Sequence, residues 1–346
     1  MNKTLLNNEL KVREWNFELL RIVSMFMVLV LHAASQALGY ATRADIISTP
    51  LLSSLKMFFV MMSVVAVNVF ILISGWFGIK STLRGGAKFI FQCLFFSIGI
   101  YVVMILLGYS SLTIRGVAEC FFLLPNGYYW FIPSYLALYI VAPVLNAFIR
   151  TADKKTFMFV LITFYAFQTV YSFLGNGASF LMKGYSALSF IGLYLLAAYI
   201  KHNYNVKKKD KKIFLMCYCS ISLLSTIIWL SATYYNLTSI SSRMTCYSNP
   251  LVIISSVSLM LFFSTLRVKS RIINKIAVSC FAAYLLHQNS HLVEYYAWSV
   301  QYAENNFPAA IGVIGVICGW FLLSILIDQS RIYLYNLINK IFIPKS

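Results

Sequence analysis

Charge is what this sequence has least of. Only 11% of its 346 residues are Asp, Glu, Lys or Arg, where a soluble domain carries about 25%. Ten carboxylates in the whole chain cannot clothe a water-exposed surface, which excludes soluble enzymes and disordered proteins. Cysteine is sparse too: seven residues, with no CxxC pair. Neither a disulfide framework nor a thiolate metal site is indicated, and these thiols read as small buried apolar residues. Long polar segments are also missing. The longest, 201–212, is too short to fold alone. No internal repeat is visible, which weighs against an inverted-repeat transporter. What fills the chain is hydrophobic side chains, 60% of the total, at a mean hydropathy of +0.77. That composition describes a polytopic membrane protein. Aromatics at 16% suit a bundle with interfacial belts.

Apolar runs able to cross a bilayer of about 30 Å fall at 17–38, 52–78, 87–108, 128–149, 157–174, 185–201, 213–235, 249–266, 276–298 and 309–330. The expected architecture is therefore all-α, a single transmembrane bundle spanning 1–346 with about ten helices. Short tails remain at about 1–16 and 331–346. The first run carries Arg21 and His32 and no clear cleavage site, so it is expected to stay as a span. Pro133 and Pro143, with Pro125 just ahead of them, predict a kinked fourth span.

The net charge of +18 has a topological explanation. When the runs are taken as successive crossings, the basic residues fall on one side except Arg43, Lys56, Arg115, Lys183 and Arg243. The positive-inside rule then places both termini in the cytoplasm, as an even number of spans requires. Nucleic acid is not implied. The basic 201–212 segment reads as a cytoplasmic loop able to touch anionic lipid.

Ionisable side chains at membrane depth cost at least about 2.5–3.5 kcal/mol each, so each is a functional candidate. Arg21 and His32 are eleven residues apart, almost three helical turns. They share one face about 16 Å apart along the axis. Spacing alone leaves two readings open: a functional polar stripe, or an interfacial Arg paired with Glu18 and an unrelated His. His287 and His291, four apart, share a face that Glu294 extends. Three imidazoles at similar depth suggest a common polar chamber. Two His at that spacing can also bind metal, but nothing else in the chain completes a metal site, and none is assigned. Asn68 is polar near mid-span, and Ser74 and Gly75 are small enough for close helix packing. Lys80 and Arg84 follow at the mouth, suited to lipid headgroups or a phosphorylated donor. Tyr128, Tyr129 and Trp130 read as an aromatic belt or a surface for stacking a sugar.

These pieces resemble a family. FELLRIVSMFMVLVLHA, from Phe17 to Ala33, is similar to the first span of the membrane-bound acyltransferase-3 family, whose signature is an Arg, ten residues, then a His. NVFILISGWF resembles the end of that family's second span. YYWFIPSYLALYIVAPVLN, from Tyr128, resembles its aromatic-led fourth span. SCFAAYLLHQ, ending at His287 and Gln288, resembles its late element. The pieces occur in family order over nearly the whole chain.

The resemblance implies transfer of an acyl group, commonly acetyl, from cytoplasmic acyl-CoA to a hydroxyl of a surface polysaccharide or lipid-linked sugar. It implies acetyl-CoA as a donor substrate with no bound cofactor, and a bacterial inner or plasma membrane as the location. Arg21 and His32 match the signature pair and His287 the late His, which makes these the expected catalytic residues. Asn68, Ser74, Lys80, Arg84, Trp130 and His291 are the expected substrate-binding residues. His32 would act as general base or as acyl carrier. Arg21 would hold donor phosphates or orient the base. His287 would polarise the thioester or orient the acceptor. The competing reading is a transporter or flippase for a lipid-linked sugar or small anion, using the same chamber without chemistry.

Overall fold

A computed structural model describes residues 14–122, 129–175 and 180–342. Pro125, Tyr128, Lys3, Lys11, Arg13 and Lys345 lie outside the described residues. Those described form helices and no strand. In chain order these are α1 Trp15–His32, α2 Arg43–Ser48, α3 Pro50–Ser63, α4 Ala66–Phe77, α5 Leu83–Leu106 and α6 Ile114–Phe121. Next come α7 Phe131–Thr151, α8 Lys154–Gln168, α9 Ala187–Asn203, α10 Lys211–Tyr234 and α11 Thr238–Met244. The last four are α12 Pro250–Ser264, α13 Arg271–His287, α14 Val293–Asn306 and α15 Ala309–Phe342.

Local chemistry explains many of the helix starts. Thr82, Asp153 and Ser186 each accept a backbone N–H from three residues on, satisfying a donor the helix cannot. Pro50 and Pro250 open α3 and α12, where the missing N–H is harmless. α7 runs as one helix through Pro143.

Seven helices among the described residues are long and apolar enough to cross a membrane. α12 is apolar but shorter, at 15 residues, and α9 and α13 have 17 residues each. One expected span is broken. The run 276–298 is not a single helix: α13 stops at His287, and α14 starts at Val293. Asn289 makes the break, since its Oδ1 accepts the His291 N–H. Short polar side chains compete with the helix backbone in this way.

α1 is the central post. It packs against α3, α4, α12, α13 and α15, and its apolar side chains feed two buried clusters. Phe17, Leu20 and Leu31 join one, and Met25, Val28 and Leu29 the other. α4 approaches α9 closely: a Cβ at Gly75 would sit 2.3 Å from the Tyr194 carbonyl oxygen. Packing therefore accounts for that glycine. α15 continues unbroken beyond residue 330. Within it Arg331 donates to both Asp328 oxygens, at 2.9 and 2.6 Å, and Gln92 of α5 donates to Oδ1 at 3.2 Å.

Candidate functional site

The last residue of α1 meets the last residue of α13. His32 Nδ1 lies 2.7 Å from His287 Nε2, and His287 Nδ1 contacts the Ala283 carbonyl oxygen one turn back. The tautomers follow from this chain of contacts. A carbonyl only accepts, so His287 Nδ1 carries the hydrogen. The His287 Nε2 is then a lone pair, and His32 Nδ1 must donate to it. What is left over is His32 Nε2, unprotonated and basic. His287 is fully buried, and its ring lies 5.1 Å from that of Tyr296. The Tyr296 hydroxyl is tied to the Leu29 carbonyl. His287 is thereby fixed between α1 and α14.

His32 is half-buried and lines two cavities of opposite character. The first is a narrow apolar passage of ≈ 50 Å³, walled by Met25, Val28, Phe70, Phe131, Phe281 and Tyr284. Along α1 its lining extends from His32 back to Met25, and Trp130 and Tyr247 also border it. The second is a polar chamber of ≈ 250 Å³, lined by Ser35, Gln36, Tyr40, Trp130, Tyr185, Tyr247 and Gln288 among others. Directly after His32, α1 widens into π-helical turns over Ala33–Leu38, a deviation found often at functional sites. Lys56 of α3 donates to the Leu38 carbonyl at that segment's end.

The expected site residues divide into groups. His32 and His287 come together. Trp130 joins the chamber, stacked on Tyr247 at 5.9 Å and tilted against Tyr185 at 4.5 Å. Arg21 lines neither cavity; it lies nearer the start of α1, paired with Glu18 and still one-third exposed. Ser74 donates to the Phe70 carbonyl. Lys80 and Arg84 are exposed beside the Gly78–Thr82 turn. α7 and α9 hold that turn, with Tyr194 accepting from the Ile79 N–H and Tyr139 from the Thr82 N–H.

Two expected members stand apart. Asn68 is fully buried and donates to the Tyr247 carbonyl, so it positions a chamber residue rather than lining the chamber. His291 is not on a face with His287, because the helix ends between them. Its ring stacks on Tyr101 at 5.5 Å in a separate cleft. Glu294 is exposed on α14. The shared three-imidazole chamber is thus corrected to a His32–His287 pair. Among the described residues no group of three His, Cys, Asp or Glu side chains is placed to hold a metal.

Sequence reasoning did not single out Gln36 and Gln288, whose amides pair reciprocally at 3.2 and 3.1 Å beyond the imidazoles. Gln36 was within reach of a spacing argument, being four residues after His32 and so on the same face. Tyr185 and Tyr247 carry no such local signal, since only the tertiary fold brings them to Trp130. The Lys201 side chain donates to the Trp76 carbonyl and lies over the Trp76 and Phe77 rings, adding a cation at the Arg21 end.

No curated protein and no solved structure matches the chain. The family model described as an acyltransferase domain, acyltransferase family 3, matches residues 14–328. The chain belongs to that family.

Proposed function

We propose that this member of the acyltransferase family is an O-acyltransferase. It moves an acetyl group from cytoplasmic acetyl-CoA to a hydroxyl of a cell-surface polysaccharide or lipid-linked sugar, in a bacterial inner membrane. The observation that carries the reading is His32 Nε2, a free base at the junction of an apolar passage and a polar chamber. One cavity suits a thioester and the other a sugar.

The chemistry then follows from placement. Both termini and the Arg21 end face the cytoplasm. Arg21, Lys80 and Arg84 hold the donor's phosphates there, Arg through its planar fork. The thioester reaches His32 through the apolar passage. The acceptor enters the chamber from outside and packs against Trp130, whose apolar face matches the face of a sugar ring. Because both cavities meet at His32, the two substrates are present together and no acyl-enzyme is needed. The sugar oxygen bonds to the thioester carbonyl carbon as its proton passes to His32 Nε2. The carbon–sulfur bond breaks, and His32 returns that proton to the thiolate, giving free CoA thiol and the ester. His287 accepts from His32 Nδ1–H throughout, which orients the ring and steadies the imidazolium that forms.

The test is acyl transfer in membrane vesicles supplied with radiolabelled acetyl-CoA. Loss of general-base catalysis is worth about 10²–10⁴-fold. His32→Ala is expected to lose label in the glycan and lipid-sugar fractions by that factor at matched abundance. Full labelling by the variant overturns the mechanism. Absence of label in the wild type with acetyl-, succinyl- and longer acyl-CoA would move the reading to a transporter.

A further inference from the structure

A second polar cavity lies on the far side of Gln288 from the chamber. It is walled by the outer end of α5, by α6 and by the turn from Gln288 to His291, and its volume is ≈ 220 Å³. Gln288 lines both cavities. The two are therefore neighbours of similar volume that share Gln288, whose amide pairs with that of Gln36 in the chamber.

The cleft is built rather than incidental. Tyr101 is buried, and its hydroxyl donates to the Ser111 carbonyl and accepts the Thr113 N–H. That fixes the loop between α5 and α6. Thr113 caps α6 at Gly116, and a Cβ at Gly116 would lie 2.3 Å from the Tyr101 hydroxyl, so the two elements close tightly there. On the opposite wall, Asn289 donates to the Tyr129 hydroxyl, and Tyr129 donates to the Leu285 carbonyl, anchoring the turn two residues before His287. His291 is held flat by its stack on Tyr101.

The chemistry of the lining selects a ligand class. Ser97, Ser110, Ser111 and Ser290 present hydroxyls, and Gln288 and Asn289 present amides. The carboxylate and guanidinium in the lining, Glu119 and Arg115, are paired with each other at 2.8 Å. The pair adds no net charge to the lining, whose other polar side chains are hydroxyls, amides and the His291 imidazole. A neutral polyhydroxylated ring fits. We propose that this cleft is a carbohydrate subsite that binds the sugar unit next to the one being acylated. This rests on the reading of the acceptor as a glycan. Two adjacent polar cavities of like size are what a polymer of repeating units fills. The enzyme would accordingly recognise at least two units and acylate the one beside His32.

The probes are single repeating units and two-unit fragments from the host's own envelope glycan, added to vesicles carrying the full chain. Ser290 is exposed on the turn. In Ser290→Cys, labelling by a water-soluble maleimide is read against the unsubstituted chain as background. Two-unit fragments are expected to slow it about tenfold at about ten times their half-protecting concentration. Single units should protect only at higher concentration, because a fragment that spans both cavities gains from linkage. Equal protection by both probes, or none, overturns the proposal. As a second arm, Ser290→Trp fills the cleft. It should keep transfer to single units and lose the lower KM for two-unit fragments; a variant that keeps that preference also overturns the proposal. Protection is measured in His32→Ala as well. Protection without any transfer in the wild type would remove the acyltransferase reading and leave the subsite. Transfer without protection would do the reverse.

Discussion

Two Arg–carboxylate pairs in this bundle share one design and live in different places. Glu18–Arg21 on α1 and Asp328–Arg331 on α15 are both spaced three residues apart on one helix face. The Arg331 side chain is 2% exposed and its partner 0%, whereas Arg21 is 32% exposed. The closed pair is saturated: Arg331 grips both oxygens and Gln92 adds a further donor. The open pair leaves about a third of the Arg21 side chain exposed. Charge type and spacing are the same, so what separates the two pairs is access. The closed pair holds α15 against α5. The open pair leaves Arg21 held by Glu18 and reachable from outside.

The comparison can be broken most severely at Asp328. Asp328→Ala strands a buried guanidinium, which costs about 3–5 kcal/mol when a buried pair loses one partner. The expected result is loss of folded protein, read as collapse of detergent-extractable monodisperse protein. Replacing both partners, Asp328→Leu with Arg331→Met, should restore abundance, since apolar replacement of a whole buried pair is often neutral. If the double variant fails as badly as the single, the pair has a role beyond satisfying itself. Arg21→Ala is expected to do the opposite. Abundance should hold while transfer falls and KM for the acyl-CoA donor rises, checked by vesicle assays at varied donor concentration. Gly75→Ala tests packing at the same end: the 2.3 Å approach to Tyr194 should force α4 off α9 and lower the melting temperature in detergent. The smallest effect belongs to a third pair, Arg115–Glu119, whose Arg is 88% exposed. Such pairs contribute about 0–1 kcal/mol, so Arg115→Ala should leave the melting temperature unchanged.

Much of this was legible in the sequence. The Glu18–Arg21 pair and the shared face of Arg21 and His32 both follow from helical spacing, and α1 is continuous enough for spacing to hold. The same arithmetic failed at His291. Periodicity assumes an unbroken helix, and 276–298 is apolar enough to hide a break. The signal was one Asn whose side chain competes with the backbone. The meeting of His32 with His287 lay beyond spacing, since it joins residues 255 positions apart; the family resemblance pointed to both, and the fold supplies the contact. Trp130 was recognisable as an aromatic at a helix start, but its partners Tyr185 and Tyr247 arrive from distant loops. Asn68 stood out by polarity at mid-span, while its partner, the backbone of Tyr247, has no sequence signature.

The contact between His287 Nδ1 and the Ala283 carbonyl has a bearing on heredity as well as on chemistry. Hydrolases that orient a histidine with a third side chain commonly use a carboxylate, which at membrane depth would be expensive to bury. Here the orienting oxygen belongs to the main chain, and every amino acid supplies it. No missense change at residue 283 can delete it. Substitution there acts indirectly, through bulk, buried charge or, for proline, the helix geometry. The relay therefore presents just two codons, those for His32 and His287, at which a single substitution removes one of its members.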